Sequence, residues 1–175
     1  MWRPSRSLQP LSTPAPIEVG IGLGGNVGDS RAMIRAALDA LRIRNVVAVT
    51  AVSSLYRTAP WGPVAQDDFA NACAIGTTGL APLALLDAIK RIERDVGRVE
   101  TVRWGPRVID IDILFYGDGV FEDERLILPH KEIFQRAFVL QPLAEIAPDR
   151  LIGGRRVIDA ARAIGAADVR LWGED

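Results

Sequence analysis

From Ile17 to Leu23 the chain alternates, with Ile17, Val19, Ile21 and Leu23 set against Glu18, Gly20 and Gly22. A period of two predicts a strand with one buried face. The run Gly24-Gly25-Asn26-Val27-Gly28-Asp29 reads as a tight turn, and Asp29 or Ser30 can cap a following helix. That helix is predicted over about residues 30–42, with Ile34, Ala37, Leu38 and Leu41 at helical spacing. Val46 to Leu55 is Val-rich and strand-like, and it runs into a loop stiffened by Pro60 and Pro63. The next strand, Phe69 to Ile75, puts the small Ala70, Ala72 and Ala74 on one side, as closely packed helices require. Phe69 and Asn71 fall on the other side. Pro82 suits the first position of a second helix, whose apolar stripe is Leu85 or Leu86, Ile89, Ile92 and Val96. Gly97 ends it, and Lys90, Glu93 and Arg94 fall on its polar side.

Alternation resumes at Val108. Successive side chains of a strand point to opposite faces, so Ile109, Ile111, Ile113 and Phe115 are expected in a core row. Asp110 and Asp112 occupy the other face. Gly117-Asp118-Gly119 predicts a hairpin returning through Val120 and Phe121. A helical stretch comes next, from Ile133 to Leu140, and residues 149–175 read as a short helical closure carrying no evident chemistry. The order β-α-β, β-α-β, hairpin and C-terminal helices predicts an α/β (α+β) fold of the ferredoxin-like sandwich type. Its sheet should be mainly antiparallel, with helices on one face and a ligand cleft on the other.

Composition narrows the partners. A chain of 175 residues suits one domain with a real core. The net charge of −1 gives no general affinity for nucleic acid or a membrane surface. No apolar run approaches the length of a membrane span. Residues 1–16 hold four prolines, Arg3 and Arg6 but no acid, and read as a disordered tail before a single domain at 17–175. The lone Cys73 sits in an apolar run and rules out an internal disulfide. A cytoplasmic protein is expected, and a monomer.

Asp110 and Asp112 stand at i and i+2 with no cation between them, and paired acids resist burial unless a cation joins them. Arg103 and Arg107 bracket a Trp and a Gly-Pro turn just upstream. Acids that can hold a hard cation, beside arginines that can grip phosphate, are the parts of a Mg²⁺-dependent phosphoryl-transfer site. An isolated pair of this kind would more often be a solvated strand face. Asn71, with donors and an acceptor on one amide, suits the edge of a planar heterocycle.

The stretch from Arg103 to Gly117, RWGPRVIDIDILFYG, resembles the signature of the 6-hydroxymethyl-7,8-dihydropterin pyrophosphokinases. The opening Gly-rich turn with Asn26, the segments YRTAPWGP and QDDFANA, the PH…R pattern at His130 and Arg136, and PLAEIAP resemble the same family. The resemblance implies transfer of pyrophosphate from ATP to a pterin alcohol in folate biosynthesis, with release of AMP. It implies two Mg²⁺ ions held with ATP by Asp110 and Asp112, and Arg98 and Arg107 stabilising the migrating charge. For the nucleotide it implies Lys90, Glu93, Arg98, Arg103, Trp104, Arg107, Ile113, Arg125, His130 and Arg136. For the pterin it implies stacking on Phe69 and Phe138, with Asn71, Thr58, Ala59, Trp61, Trp104 and Asp110 around it. The segment from Gly97 to Arg107 would close over ATP. Glu100 departs from the family there, standing where a second Arg is usual, and Ile127 stands where some members carry Thr. The alternatives are a non-catalytic ferredoxin-like nucleotide- or RNA-binding module, which needs no acid pair beside arginines, and another Mg²⁺-dependent phosphotransferase or nuclease, which needs no Phe69/Asn71 segment.

Overall fold

A computed structural model describes residues 15–60, 66–97 and 107–173. The tail expected at residues 1–16 falls almost wholly outside the described residues. Strand β1 (Ile17–Gly25) leads through an Asp29-capped turn into α1 (Ser30–Ile43). Then come β2 (Ala48–Val52), β3 (Tyr56–Thr58), β4 (Phe69–Thr78) and α2 (Pro82–Asp95). Strand β5 (Asp110–Tyr116) carries the acid pair, and β6 (Phe121–Asp123) with β7 (Leu126–Leu128) makes a separate hairpin. A 3₁₀ turn (Ile133–Gln135) and α3 (Ala137–Ile146) come after it. The chain closes with β8 (Leu151–Ile152), β9 (Arg155–Arg156), α4 (Val157–Ile164) and β10 (Val169–Leu171).

The main sheet runs β10-β3-β4-β1-β5, with β2 also paired to β4, and all its pairs are antiparallel. Its odd β1 residues Val19, Ile21 and Leu23 pack with Ala70, Ala72 and Ala74 of β4 under α1 and α2. The small β4 side chains let Ile34, Leu38, Leu41, Leu85, Ile89 and Ile92 approach the sheet closely, and all are buried. This is the ferredoxin-like arrangement that the element order predicts. On the opposite face α3 packs over Cys73 and Ile75, leaving the remainder of that face as a cleft.

Several expectations are corrected. The row from Ile109 does not reach Phe115. Ile21 faces Ile113 but Gly20 faces Phe115, so Leu114 is an extra residue in β5. A bulge of this kind reverses the facing of the residues beyond it. Phe115 therefore crosses to the α3 side, while Tyr116 returns to the helix-side core and donates its hydroxyl to the Leu80 carbonyl at 3.0 Å. Gly20 makes the crossing possible, because a Cβ there would lie 2.3 Å from the Phe115 ring. The turn after β5 does not fold β6 back onto it, since β6 pairs with β7. Tyr56 to Thr58 is a strand rather than loop, because β4 is long enough to pair with both β2 and β3. Residues 133–140 are not one helix, for Arg136 is extended (φ −115, ψ 97) between the 3₁₀ turn and α3. The C-terminal segment is no mere helical closure, because β10 extends the main sheet beside β3.

Candidate active site

The cleft on the open face is a cavity of about 510 Å³. Phe69, Asn71, Asp110 and Asp112 all line it, with Thr58, Ala59, Arg107, Arg136 and Phe138. The sheet register brings them there. Asp110 and Asp112 pair with Gly24 and Gly22 of β1, and Gly24 pairs with Asn71 of β4. Glycines on that face of β1 leave the floor open between the acids and Asn71. A Cβ at Gly24 would sit 2.8 Å from the Asn71 side-chain oxygen. The Asn71 amide donates to Thr58 Oγ1 at 2.8 Å, which fixes its orientation.

Each acid has an arginine partner. Arg107 bonds Asp110, and Arg136 bonds Asp112 at 3.3 Å while also bonding Glu132. The Arg136 charge holds the Glu132 carboxyl below its usual range, with the direct hydrogen bond adding to the effect. His130 sits beside this group, its backbone N–H bonded to the Leu114 carbonyl that the β5 bulge releases (2.8 Å). Burial pushes its pKa down; Asp112 opposes that shift and Arg136 reinforces it. His130 thus presents a neutral ring near the acids, with Nδ1 accepting from the Glu132 N–H at 3.2 Å.

The structure separates the residues expected at the nucleotide into two groups. Arg107 and Arg136 are in the cavity, whereas Lys90, Glu93, Ile113 and Arg125 do not line it and lie around the outer edge of β5, α2 and the β6–β7 hairpin. One of these is corrected in its placement, and Ile113 keeps the core position its alternation predicts. Glu93, expected on the polar face of α2, is buried, because its carboxylate accepts the Ile111 N–H at 2.7 Å on the open edge of β5 and pairs with Lys90 at 3.0 Å. Ile113 is core, with only its backbone able to face a ligand. Arg125 bonds Asp87 of α2 across that edge. Trp61, Arg98, Glu100, Arg103 and Trp104 lie outside the described residues.

Two features escaped the sequence reading. Asn26 is buried, and its amide donates to Gln66 Oε1 and the Asp67 carbonyl, both at 2.9 Å. Its Oδ1 accepts the Arg107 N–H at 2.9 Å and its own N–H reaches the Arg107 carbonyl. One side chain therefore fastens the β1 turn, the start of β4 and the approach to β5. Its signal in the sequence was the Gly-rich turn with Asn26 that resembles the family. The second is the connection from Ile164 to Val169, which forms part of the cavity wall.

Residues 20–148 match the family model described as 7,8-dihydro-6-hydroxymethylpterin-pyrophosphokinase (HPPK). The chain belongs to this family. A relative named 2-amino-4-hydroxy-6-hydroxymethyldihydropteridine pyrophosphokinase from Methylorubrum extorquens is 51% identical over 140 residues, 80% of this chain and 89% of the relative. One of the same name from Pseudomonas aeruginosa is 47% identical over 140 residues, 79% and 86% of the two chains. Among solved structures, wild-type Plasmodium falciparum HPPK-DHPS superposes with a TM-score of 0.68 at 15% identity, over 85% of this chain and 44% of that one, and this likeness shows the shared fold. The pyrophosphokinase is an enzyme of folate biosynthesis that transfers pyrophosphate from ATP to 6-hydroxymethyl-7,8-dihydropterin. No helix among the described residues is long and apolar enough to cross a membrane.

Proposed function

We propose that the open-face cavity is the place of that transfer, with the acid pair at its reacting end. The observation that carries the reading is the convergence of Asp110, Asp112, Asn71 and Phe69 on one cavity from two strands of the sheet, across the glycines of a third. Among the described residues no cluster of three or more His, Cys, Asp or Glu could hold a metal alone. Two carboxylates nonetheless fit Mg²⁺, which usually takes one or two protein carboxylates and completes its shell with substrate phosphates and water. Asp110 and Asp112 would hold two such ions with ATP. When bound, the ions would neutralise phosphate charge and ease ionisation of the pterin hydroxyl.

The protein's own part is positioning and charge placement. Phe69 and Phe138 hold the pterin ring, and Asn71 reads its edge beside Thr58 and Ala59. The hydroxymethyl oxygen then lies toward the acids, where it attacks the β-phosphorus of ATP. The bond from that phosphorus to the α-phosphate oxygen breaks, AMP departs and the hydroxyl proton is lost. Arg107 and Arg136 exchange their carboxylate partners for phosphate oxygens, with Arg98, Arg103, Trp104, His130 and Arg125 along the nucleotide. Lys90 acts beside Glu93, whose own contribution is made through the Ile111 backbone. The chain acts as a single domain from residue 17 to 175, as a cytoplasmic monomer.

Product analysis with ATP, Mg²⁺ and hydroxymethyl-dihydropterin tests the reading. AMP and the pterin diphosphate are the expected products; ADP would overturn it.

A further inference from the structure

One wall of the cavity lies outside the part of the chain that defines the family. Ile164, Gly165, Ala167, Asp168 and Val169, in the connection between α4 and β10, line it. The family match ends at residue 148. The wall is built rather than incidental. Gln141 Nε2 of α3 donates to the Ala161 and Gly165 carbonyls, both at 2.9 Å. Val169 is buried, its N–H bonds the Ala166 carbonyl at 3.1 Å, and it pairs with Thr58 in the main sheet.

The register locates this wall relative to the chemistry. Strand β10 is followed by β3, β4, β1 and β5, so Val169 lies four strand spacings from the acid-bearing strand, or about 19 Å at the usual spacing. With the hydroxymethyl oxygen at the acids, the amino-bearing end of the pterin points toward β3 and β10. A two-ring heterocycle with a one-carbon arm is shorter than that span. Its footprint ends near Thr58, and the cavity continues to Ile164 and Val169. The buried Val139 and Val169 give it an apolar floor, and the exposed Ile164, Ala167 and Asp168 form its rim.

We propose that this end of the cavity is a subsite for a short apolar substituent on the 2-amino group of the pterin, held against Ile164 and Val169. The inference rests on the pterin placement given under Proposed function. The probe is hydroxymethyl-dihydropterin carrying a propyl group on its 2-amino nitrogen, compared with the unsubstituted compound and ATP–Mg²⁺ on the full chain. The wild-type enzyme should convert both, with kcat/KM values within about tenfold of each other. Filling the subsite by Ile164→Trp, or by Ala167→Leu as a second variant, should lower kcat/KM for the propyl compound by about tenfold or more, the scale of a few buried methylenes. The parent substrate should change by less than about twofold, since those side chains are beyond its reach. Rejection of the propyl compound by wild type beyond the tenfold limit would overturn the subsite, as would equal losses for both compounds in both variants. Calorimetric titration of each compound, with a non-hydrolysable ATP analogue present, reads the same discrimination without turnover. If the parent gives no AMP, the reaction assignment fails, and the calorimetric comparison still decides the subsite.

Discussion

Glu93 accepts the backbone N–H of Ile111 at 2.7 Å, midway between Asp110 and Asp112. Ile111 lies on the edge strand of the sheet, where no neighbouring strand among the described residues offers a carbonyl, so a carboxylate from α2 closes that edge. The same bond ties the backbone between the two acids to α2. Glu93→Ala leaves a buried N–H unsatisfied, which costs about 1–3 kcal/mol. Urea denaturation should show that loss, and kcat should fall with it. Glu93→Gln keeps an acceptor oxygen and should recover most of both, an outcome that a purely nucleotide-contacting Glu93 would not give.

Asp110→Ala and Asp112→Ala should each lower turnover by roughly a thousandfold, the scale of several kcal/mol of transition-state charge stabilisation. Their side chains face the cavity, so melting temperatures should stay near wild type. Ile111→Asp points the other way into the helix-side core and should fail to fold stably, because an unpaired charge there is costly. Steady-state assays with Mg²⁺ and thermal melts check all three. Near-normal activity in either Asp variant would remove that residue from the metal assignment.

Asn26 satisfies three partners with one buried amide. Asn26→Ala removes those bonds and should cost about 1–3 kcal/mol of stability. The loss of activity should exceed what unfolding explains, because Arg107 loses its fixed backbone. Asn26→Asp keeps an acceptor for the Arg107 N–H but has no donor for Gln66 Oε1 or the Asp67 carbonyl, so it should rescue activity only in part. Comparing kcat at temperatures where every variant is fully folded separates the two effects.

Gly20→Ala places a methyl group where the Phe115 ring now lies. Overpacking of this sort costs about 1–3 kcal/mol, to be read as a lower denaturation midpoint. Gly20→Ala combined with Phe115→Leu should recover part of the loss, because the smaller side chain vacates the ring position.

Tyr56 should make the fold sensitive to alkali. Burial, with a 2.8 Å hydrogen bond to Glu145 and its negative charge, pushes the Tyr56 phenol up to about 12 from 10.0. The raised value belongs to the folded state. Its contribution to stability is complete below pH 10.0 and is lost as pH rises toward about 12, where the unfolded chain ionises first. Tyr56→Phe should show a flatter stability curve across that window in denaturant titrations at stepped pH.

The sequence by itself determined the order of β1, α1, β4, α2 and β5, most of the helix-side core and the family. Alternation at Val19, Ile21 and Leu23 and the small Ala70, Ala72 and Ala74 fix which faces meet α1 and α2, because side-chain facing in a strand depends on spacing alone. The same spacing puts Asp110 and Asp112 together, and the ordered run from Arg103 to Gly117 carries the family. Spacing could not foresee Leu114, since a bulge depends on the partner strand, here on Gly20 leaving room for Phe115. Nor could it foresee Glu93 or Asn26. A polar residue on a helix or in a turn reads as solvated until an unpaired backbone group from a distant segment arrives beside it. Only the tertiary structure decided those pairings, and it turned residues 164–169 from an unremarked terminus into a cavity wall by joining β10 to β3. Local pattern records what each residue can bury; which backbone groups and which space are left over is settled only when the sheet is assembled.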